Sequence, residues 1–154
     1  MANLKQEIKE YFDDLAPKRD YWKKRNRYYY DYIEKRLLSF LIPPGKRILE
    51  IGCGTGDLIA GLKPFFGQGL DISAEMIKLA DLKYKANRPE LQFSSVEPEN
   101  LKEKFDYIVI SDVVGYVGDV EDLFRKLHAL SECHTRIIIT QYNQLWEPLL
   151  EFGS

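Results

Sequence analysis

Three glycines at alternate positions, Gly52, Gly54 and Gly56, follow the apolar run Ile48–Ile51 and are flanked by two acids, Glu50 and Asp57. Glycines in this arrangement let a chain turn sharply after a strand and let a ligand approach bare backbone. Asp71 lies 21 residues beyond Glu50, where a second apolar run, Phe66–Leu70, ends. A carboxylate there can accept hydrogen bonds from both hydroxyls of a ribose, so the two features together predict a nucleoside-bearing ligand.

Spacing narrows the class. A nucleoside-triphosphate loop needs a Lys-Ser/Thr pair after its glycines, and none follows Gly56. A dinucleotide loop of pattern G-x-G-x-x-G would place its third glycine at 57, where Asp57 would repel a pyrophosphate. NAD is therefore the weaker candidate, and a cationic or zwitterionic ligand the better one. Cys53 sits in the loop without an evident histidine partner, and His128 and His134 fall away from the expected site. No His/Cys cluster has metal-ligand spacing, so no metal is expected.

These residues need a scaffold to bring them together. After the turn "PPGK" at 43–46, short apolar runs alternate with amphipathic ones, which predicts β-α-β units and a parallel sheet. Strands are expected at Arg47–Ile51, Phe66–Asp71, Leu91–Ser95, Phe105–Ser111 and Arg136–Thr140. Helices are expected at Gly56–Lys63, Ala74–Asn87 and Val120–Leu130, the last with Val120, Leu123, Leu127 and Leu130 inward. Before the sheet, Leu4, Ile8, Tyr11, Phe12 and Leu15 recur at helical spacing up to Pro17. A second helix is predicted from Asp20 to Leu41, its inward face carrying Tyr29, Ile33, Leu37, Phe40 and Leu41. The fold class is a doubly wound α/β sheet of about five strands. Its ligand site lies at the carboxyl ends of the strands.

Composition sets limits on this reading. With 154 residues, 45% hydrophobic and 13% aromatic, the chain can bury one substantial core. A net charge of −2 gives no global attraction to nucleic acid or anionic membrane, although Lys18–Arg27 is locally basic. "KRDYWKKRNRYYYDY" has the mix of aromatics and cations that a single-strand nucleic-acid surface uses. Helical spacing instead puts Tyr29 with Ile33 in the core and the cations in water, so nucleic acid is disfavoured as a partner. Two cysteines make no disulfide framework, and no stretch approaches the ~20 apolar residues of a membrane span, so a cytoplasmic setting is expected.

"ILEIGCGTGD", followed by "GLDIS" and "MIKLA", resembles the first two motifs of class I S-adenosylmethionine-dependent methyltransferases, whose pattern is acidic-x-G-x-G-x-G. "FDYIVISDVVGYVGDVEDLFRKLHAL" is similar to the later segments of that family, and the whole chain resembles bacterial methyltransferase regions found alone or joined to glycosyltransferase-like domains. The resemblance implies a Rossmann-like fold, S-adenosyl-L-methionine as cofactor, and methyl transfer to an unnamed acceptor. It also implies roles for Gly52, Cys53, Gly54 and Gly56 around the methionine part, with Glu50, the first acid of the motif, counted among the cofactor-binding residues and organising the loop from beneath, Asp71 at the ribose, and Ile72 against the adenine. Val96-Glu97-Pro98 stands where the family has Gly-Asp-Ala, which aligns Glu97 with the acid that receives the adenine amine. Ser111 and Asp112 would lie beside the methionine moiety. Asp112 and Tyr116 are the best-placed bases, although no catalytic residue is assigned. Residues 1–44 would form a helical cover, with Tyr11, Tyr21, Trp22, Arg27 and Tyr28 as candidate contacts, and 45–154 the cofactor-binding core. The family's last two strands are expected to be missing, leaving Ile137–Ile139 on an open edge that favours a homodimer. The alternative is a non-catalytic module that keeps the fold to bind or regulate a partner.

Overall fold

The computed structural model describes residues 2–141. Five parallel strands, β1 (Arg47–Ile51), β2 (Phe66–Leu70), β3 (Leu91–Ser94), β4 (Tyr107–Ser111) and β5 (Arg136–Thr140), lie in the order β3-β2-β1-β4-β5. Strand order reverses between β1 and β4, which pair from Ile48↔Tyr107 to Ile51↔Ile110. A crevice opens at the carboxyl ends of these two strands, as the doubly wound topology dictates.

Helices cover both faces. On one face Leu38, Ile42, Ile48, Ile59 and Val109 pack together. On the other Leu49, Ile108 and Ile110 meet Leu123 and Leu127 of α6 (Val120–Ala129). All five residues of β4 are buried, the reason its run shows no polar alternation. Asp119 caps α6 by accepting from the Asp122 N–H at 2.9 Å, which leaves Val120 on the first, solvent-facing turn rather than inward. α4 (Asp57–Gly61) and α5 (Ala74–Tyr84) follow β1 and β2.

The helix expected over Asp20–Leu41 is broken. α1 (Ala2–Leu15) is followed by α2 (Arg19–Arg25), a π-helical segment Tyr28–Glu34, and α3 (Lys35–Leu41). Asn26, a poor helix former, ends α2: its backbone N–H and its side-chain amide both bond the Trp22 carbonyl, at 3.0 and 3.2 Å. The wide turn that follows holds more residues than an α-helical one and advances the inward face by one position. Leu38 and Ile42 are consequently buried, while Leu37, Phe40 and Leu41 face solvent, Phe40 at 85% exposure. Tyr29 is half-buried as expected, and the Ile33 side chain lies outside the described residues.

β5 closes one edge of the sheet, with Ile137 and Ile139 exposed. The run "NQLWEPLLEF" at 143–152, whose pattern predicts a further helix, lies outside the described residues.

Candidate functional site

The glycine loop is stitched to the neighbouring strand. The N–H groups of Gly52 and Cys53 both donate to the Leu70 carbonyl, at 2.7 and 3.0 Å, and Gly52, Gly54 and Gly56 all have positive φ. A Cβ on Gly52 would come within 2.0 Å of a Val113 methyl, and one on Gly56 within 2.6 Å of the Phe93 ring. A Cβ on Gly54 would meet nothing nearer than Arg19 Nε at 3.9 Å. The outer two glycines are thus required by packing, and the middle one leaves backbone open to the crevice.

Glu50 lies under this loop, almost fully buried, and its Oε2 accepts the Ile59 N–H of α4 at 3.0 Å. A carboxylate there satisfies an amide that the first helical turn leaves unpaired and complements the positive end of the helix. Cys53 packs its Sγ against Gly69. Burial, with the charges of Glu50 and Asp71 added, pushes its thiol well above the usual range and makes it a packing residue.

Asp71 stands at the end of β2, facing the loop. Its Oδ2 accepts the Gly54 N–H at 2.7 Å and its Oδ1 the Ser73 N–H at 2.9 Å. Burial raises its carboxyl above the ordinary value, and those two N–H groups and the Arg19 guanidinium only partly offset that. On the far side, Ser111 accepts the Thr140 hydroxyl at 3.0 Å, and Asp112 adopts φ +55° with both carboxylate oxygens accepting from the Tyr29 hydroxyl, at 3.1 and 2.9 Å.

Between these walls lies a cavity of about 380 Å³, a size suited to a small ligand. Gly52, Gly54, Asp71, Ile72, Val96, Glu97, Ser111, Asp112 and Tyr116 line it. Glu50, Cys53 and Gly56 do not; they shape the loop from beneath.

The roof differs from the sequence expectation. Leu4, Ile8 and Phe12 of α1, four residues apart on one face, line the cavity together with Lys5 and Arg19. Phe12 meets Tyr116 edge-to-face at 5.1 Å, Lys5 pairs with Glu97 at the rim, and Asp13 accepts the Ser73 hydroxyl at 2.6 Å. Tyr11, Tyr21, Trp22, Arg27 and Tyr28 are exposed and line none of it. The i, i+4, i+8 spacing of Leu4, Ile8 and Phe12 is the signal that identifies the roof. His128 and His134 are exposed and away from the cavity.

Asp57 is also differently placed. It faces out of the crevice, bonded to Lys23 Nζ at 2.8 Å, the Tyr84 hydroxyl at 2.6 Å and the Thr55 hydroxyl at 2.9 Å. Burial alone would raise its carboxyl, but the Lys23 charge and these hydrogen bonds prevail and hold it well below the usual range.

The family model for a methyltransferase domain matches residues 21–152. A ubiquinone biosynthesis O-methyltransferase of Bradyrhizobium diazoefficiens is 25% identical over 118 residues, 74% of this chain and 47% of that protein. Among solved structures, a putative S-adenosyl-L-methionine-dependent methyltransferase from Methanococcus maripaludis superposes with a TM-score of 0.73 at 18% identity, covering 92% of this chain and 69% of that one. A methyltransferase from Thiobacillus denitrificans in complex with S-adenosyl-L-homocysteine superposes with a TM-score of 0.58 at 19% identity, covering 70% and 47%. At such identities the structural likenesses establish the fold alone. The chain spans less than half the length of curated relatives such as the Bradyrhizobium enzyme. The sheet order, the glycine loop and a family match over most of the length agree: the chain belongs to the methyltransferase domain family.

Proposed function

We propose that the chain binds S-adenosyl-L-methionine in this crevice and directs its methyl group to an acceptor. Asp71 carries the reading. Each of its oxygens accepts one backbone N–H and keeps acceptor capacity for a ribose hydroxyl, beside a Gly54 backbone approached, among the described residues, by Arg19 alone, at contact distance. Ile72 and Val96 offer apolar flanks to an adenine, and Glu97 an acceptor for its amine. Gly52 and Gly54 present bare backbone to the methionine portion, with Ser111 and Asp112 across from it. When bound, the cofactor supplies a methyl group on a positively charged sulfur that leaves as a neutral thioether.

The remaining work is positional. The floor fixes the ligand, Leu4, Ile8 and Phe12 exclude water above it, and the acceptor is held in line. A hydroxyl or ammonium acceptor must also lose a proton, and of the groups lining the cavity we favour Asp112, held in place by Tyr29, and Tyr116 for that step. We assign the cover to residues 1–44, of which Leu4, Lys5, Ile8, Phe12 and Arg19 reach the cavity, and the binding core to 45–154.

Calorimetric titration tests the reading: heat with S-adenosylmethionine and S-adenosylhomocysteine and none with NAD is expected. Absence of heat with both sulfur ligands overturns it. Binding without transfer to any acceptor would favour a non-catalytic module, the alternative supported by the engagement of both Asp112 oxygens with Tyr29. The reading extends to a homodimer through the β5 edge, supported by exposed Ile137 and Ile139. A concentration-independent monomer in sedimentation counts against that dimer. Two free thiols, Cys53 and Cys133, support a reducing, cytoplasmic setting.

A further inference from the structure

Nucleic acid is disfavoured from sequence because helical spacing puts Tyr29 in the core and the cations of the basic segment in water. Of that segment's aromatic rings, Tyr29 and Tyr30 do turn inward, but Tyr21, Trp22 and Tyr28 are exposed at 64%, 44% and 63%. Lys18, Tyr21, Trp22 and Arg25 recur at i, i+3, i+4 and i+7, so they share one face of α2, while Arg19 and Lys23 point the other way, to the cavity and to Asp57. The Tyr21 and Trp22 rings lie 6.2 Å apart, edge to face. Lys18, Lys24 and Arg25 have no acidic partner among the described residues. Residues 18–36 hold eight basic and three acidic side chains, a net charge of +5, against −7 for the rest of the chain.

We propose that this face of α2 is a docking surface for a single-stranded polynucleotide. Open aromatic rings give the π-faces on which unpaired bases stack, and the flanking cations track a phosphate backbone. An anionic lipid surface fits less well, because Lys18 and Arg25 share the face with the rings, whereas an interfacial helix keeps its apolar face separate from its cationic one. A duplex buries its base faces and would use only the charges. As a binding surface the inference stands apart from the methyl-transfer reading; as a route by which an acceptor reaches the crevice, it rests on that reading.

The test titrates a fluorescein-labelled single-stranded oligouridylate of about 16 nucleotides with the intact chain, followed by anisotropy at about 50 mM salt and upward. Binding that weakens with salt and exceeds that of a duplex of equal length is expected. Tyr21→Ala with Trp22→Ala should lower affinity about tenfold or more, since each base stacked on an aromatic loses its platform. Lys18→Gln with Arg25→Gln should flatten the salt dependence by about 1.4 in slope, about 0.7 for each phosphate no longer neutralised. Circular dichroism and affinity for S-adenosylhomocysteine should be unchanged in both variants, which separates this test from that of the cofactor site. Lack of binding at low salt, equal binding by the aromatic double variant, or binding to anionic phosphatidylserine vesicles without binding to the oligonucleotide would each overturn the proposal.

Discussion

Two aspartates flank the glycine loop, and their electrostatics are opposite. Asp71, on the crevice side, is buried against two backbone N–H groups, and burial raises its carboxyl. Asp57, on the outer side, has two lysines, Lys23 and Lys83, a phenol and a hydroxyl around it and is held well below the usual range. The protein satisfies the outer carboxylate itself and leaves the inner one short of donors. A charge left short in this way costs stability in the free protein and is repaid by whatever supplies the missing hydrogen bonds. The difference marks the crevice side as the one built for a ligand and the outer side as the one built to fasten α2 to the loop.

The glycines offer the largest test of this division. Gly52→Ala adds a methyl at φ +75° and 2.0 Å from Val113, so strain and overpacking together should cost about 2–4 kcal/mol in urea unfolding. Among the described residues Gly54→Ala meets only Arg19, at ordinary contact distance, and should cost about 1–2 kcal/mol from φ alone, while weakening cofactor binding. Equal stability losses would show that the loop has no packed and open sides.

Next in size is Asp71→Ala. If charge-assisted bonds to a ribose form, S-adenosylhomocysteine affinity should fall by roughly 1.5–3 kcal/mol in calorimetry. Stability in urea should fall as well, because the Gly54 and Ser73 N–H groups lose their acceptors. Unchanged affinity removes Asp71 from the site.

How much of this is legible in the sequence depends on what each feature rests on. The five strands and the floor of the crevice are readable, because buried parallel strands write themselves as unbroken apolar runs and a loop needing positive φ writes itself as glycine. Glu50, expected to organise the loop from beneath, lies there and accepts the Ile59 N–H of α4, a contact across the strand-to-helix turn that spacing alone does not show. The cover is less legible. One wide turn at Tyr28–Glu34 shifts every later inward position, and no residue type announces a π-helical turn. Asp57 reads as facing a ligand because it begins a helix, whereas Lys23, 34 residues earlier in the chain, draws it outward.

The smallest effect, and the one most specific to the outer side, is the pH dependence that Asp57 confers. Its folded value lies below the unfolded one, so its stabilising contribution is complete above about pH 4 and is lost as pH falls from there towards the depressed folded value. Asp57→Asn removes the charge, and should cost about 1.5 kcal/mol at pH 7, the low end of the range for hydrogen bonds to a charged group. The gap between wild type and variant should then close as unfolding is measured at successively lower pH from about 4 downward. Titrations of other groups are common to both proteins and cancel in the difference. Asp71, with its folded value raised, carries the reverse sign: its contribution is favourable below the unfolded value and fades as pH rises through the folded one. Asp71→Asn should therefore narrow its deficit, or gain on wild type, as pH rises through that window, while Asp57→Asn loses ground. A gap that stays constant with pH for Asp57→Asn would mean that Lys23 and Tyr84 do not hold the carboxylate in solution. The contrast between the two sides of the loop would then reduce to burial alone.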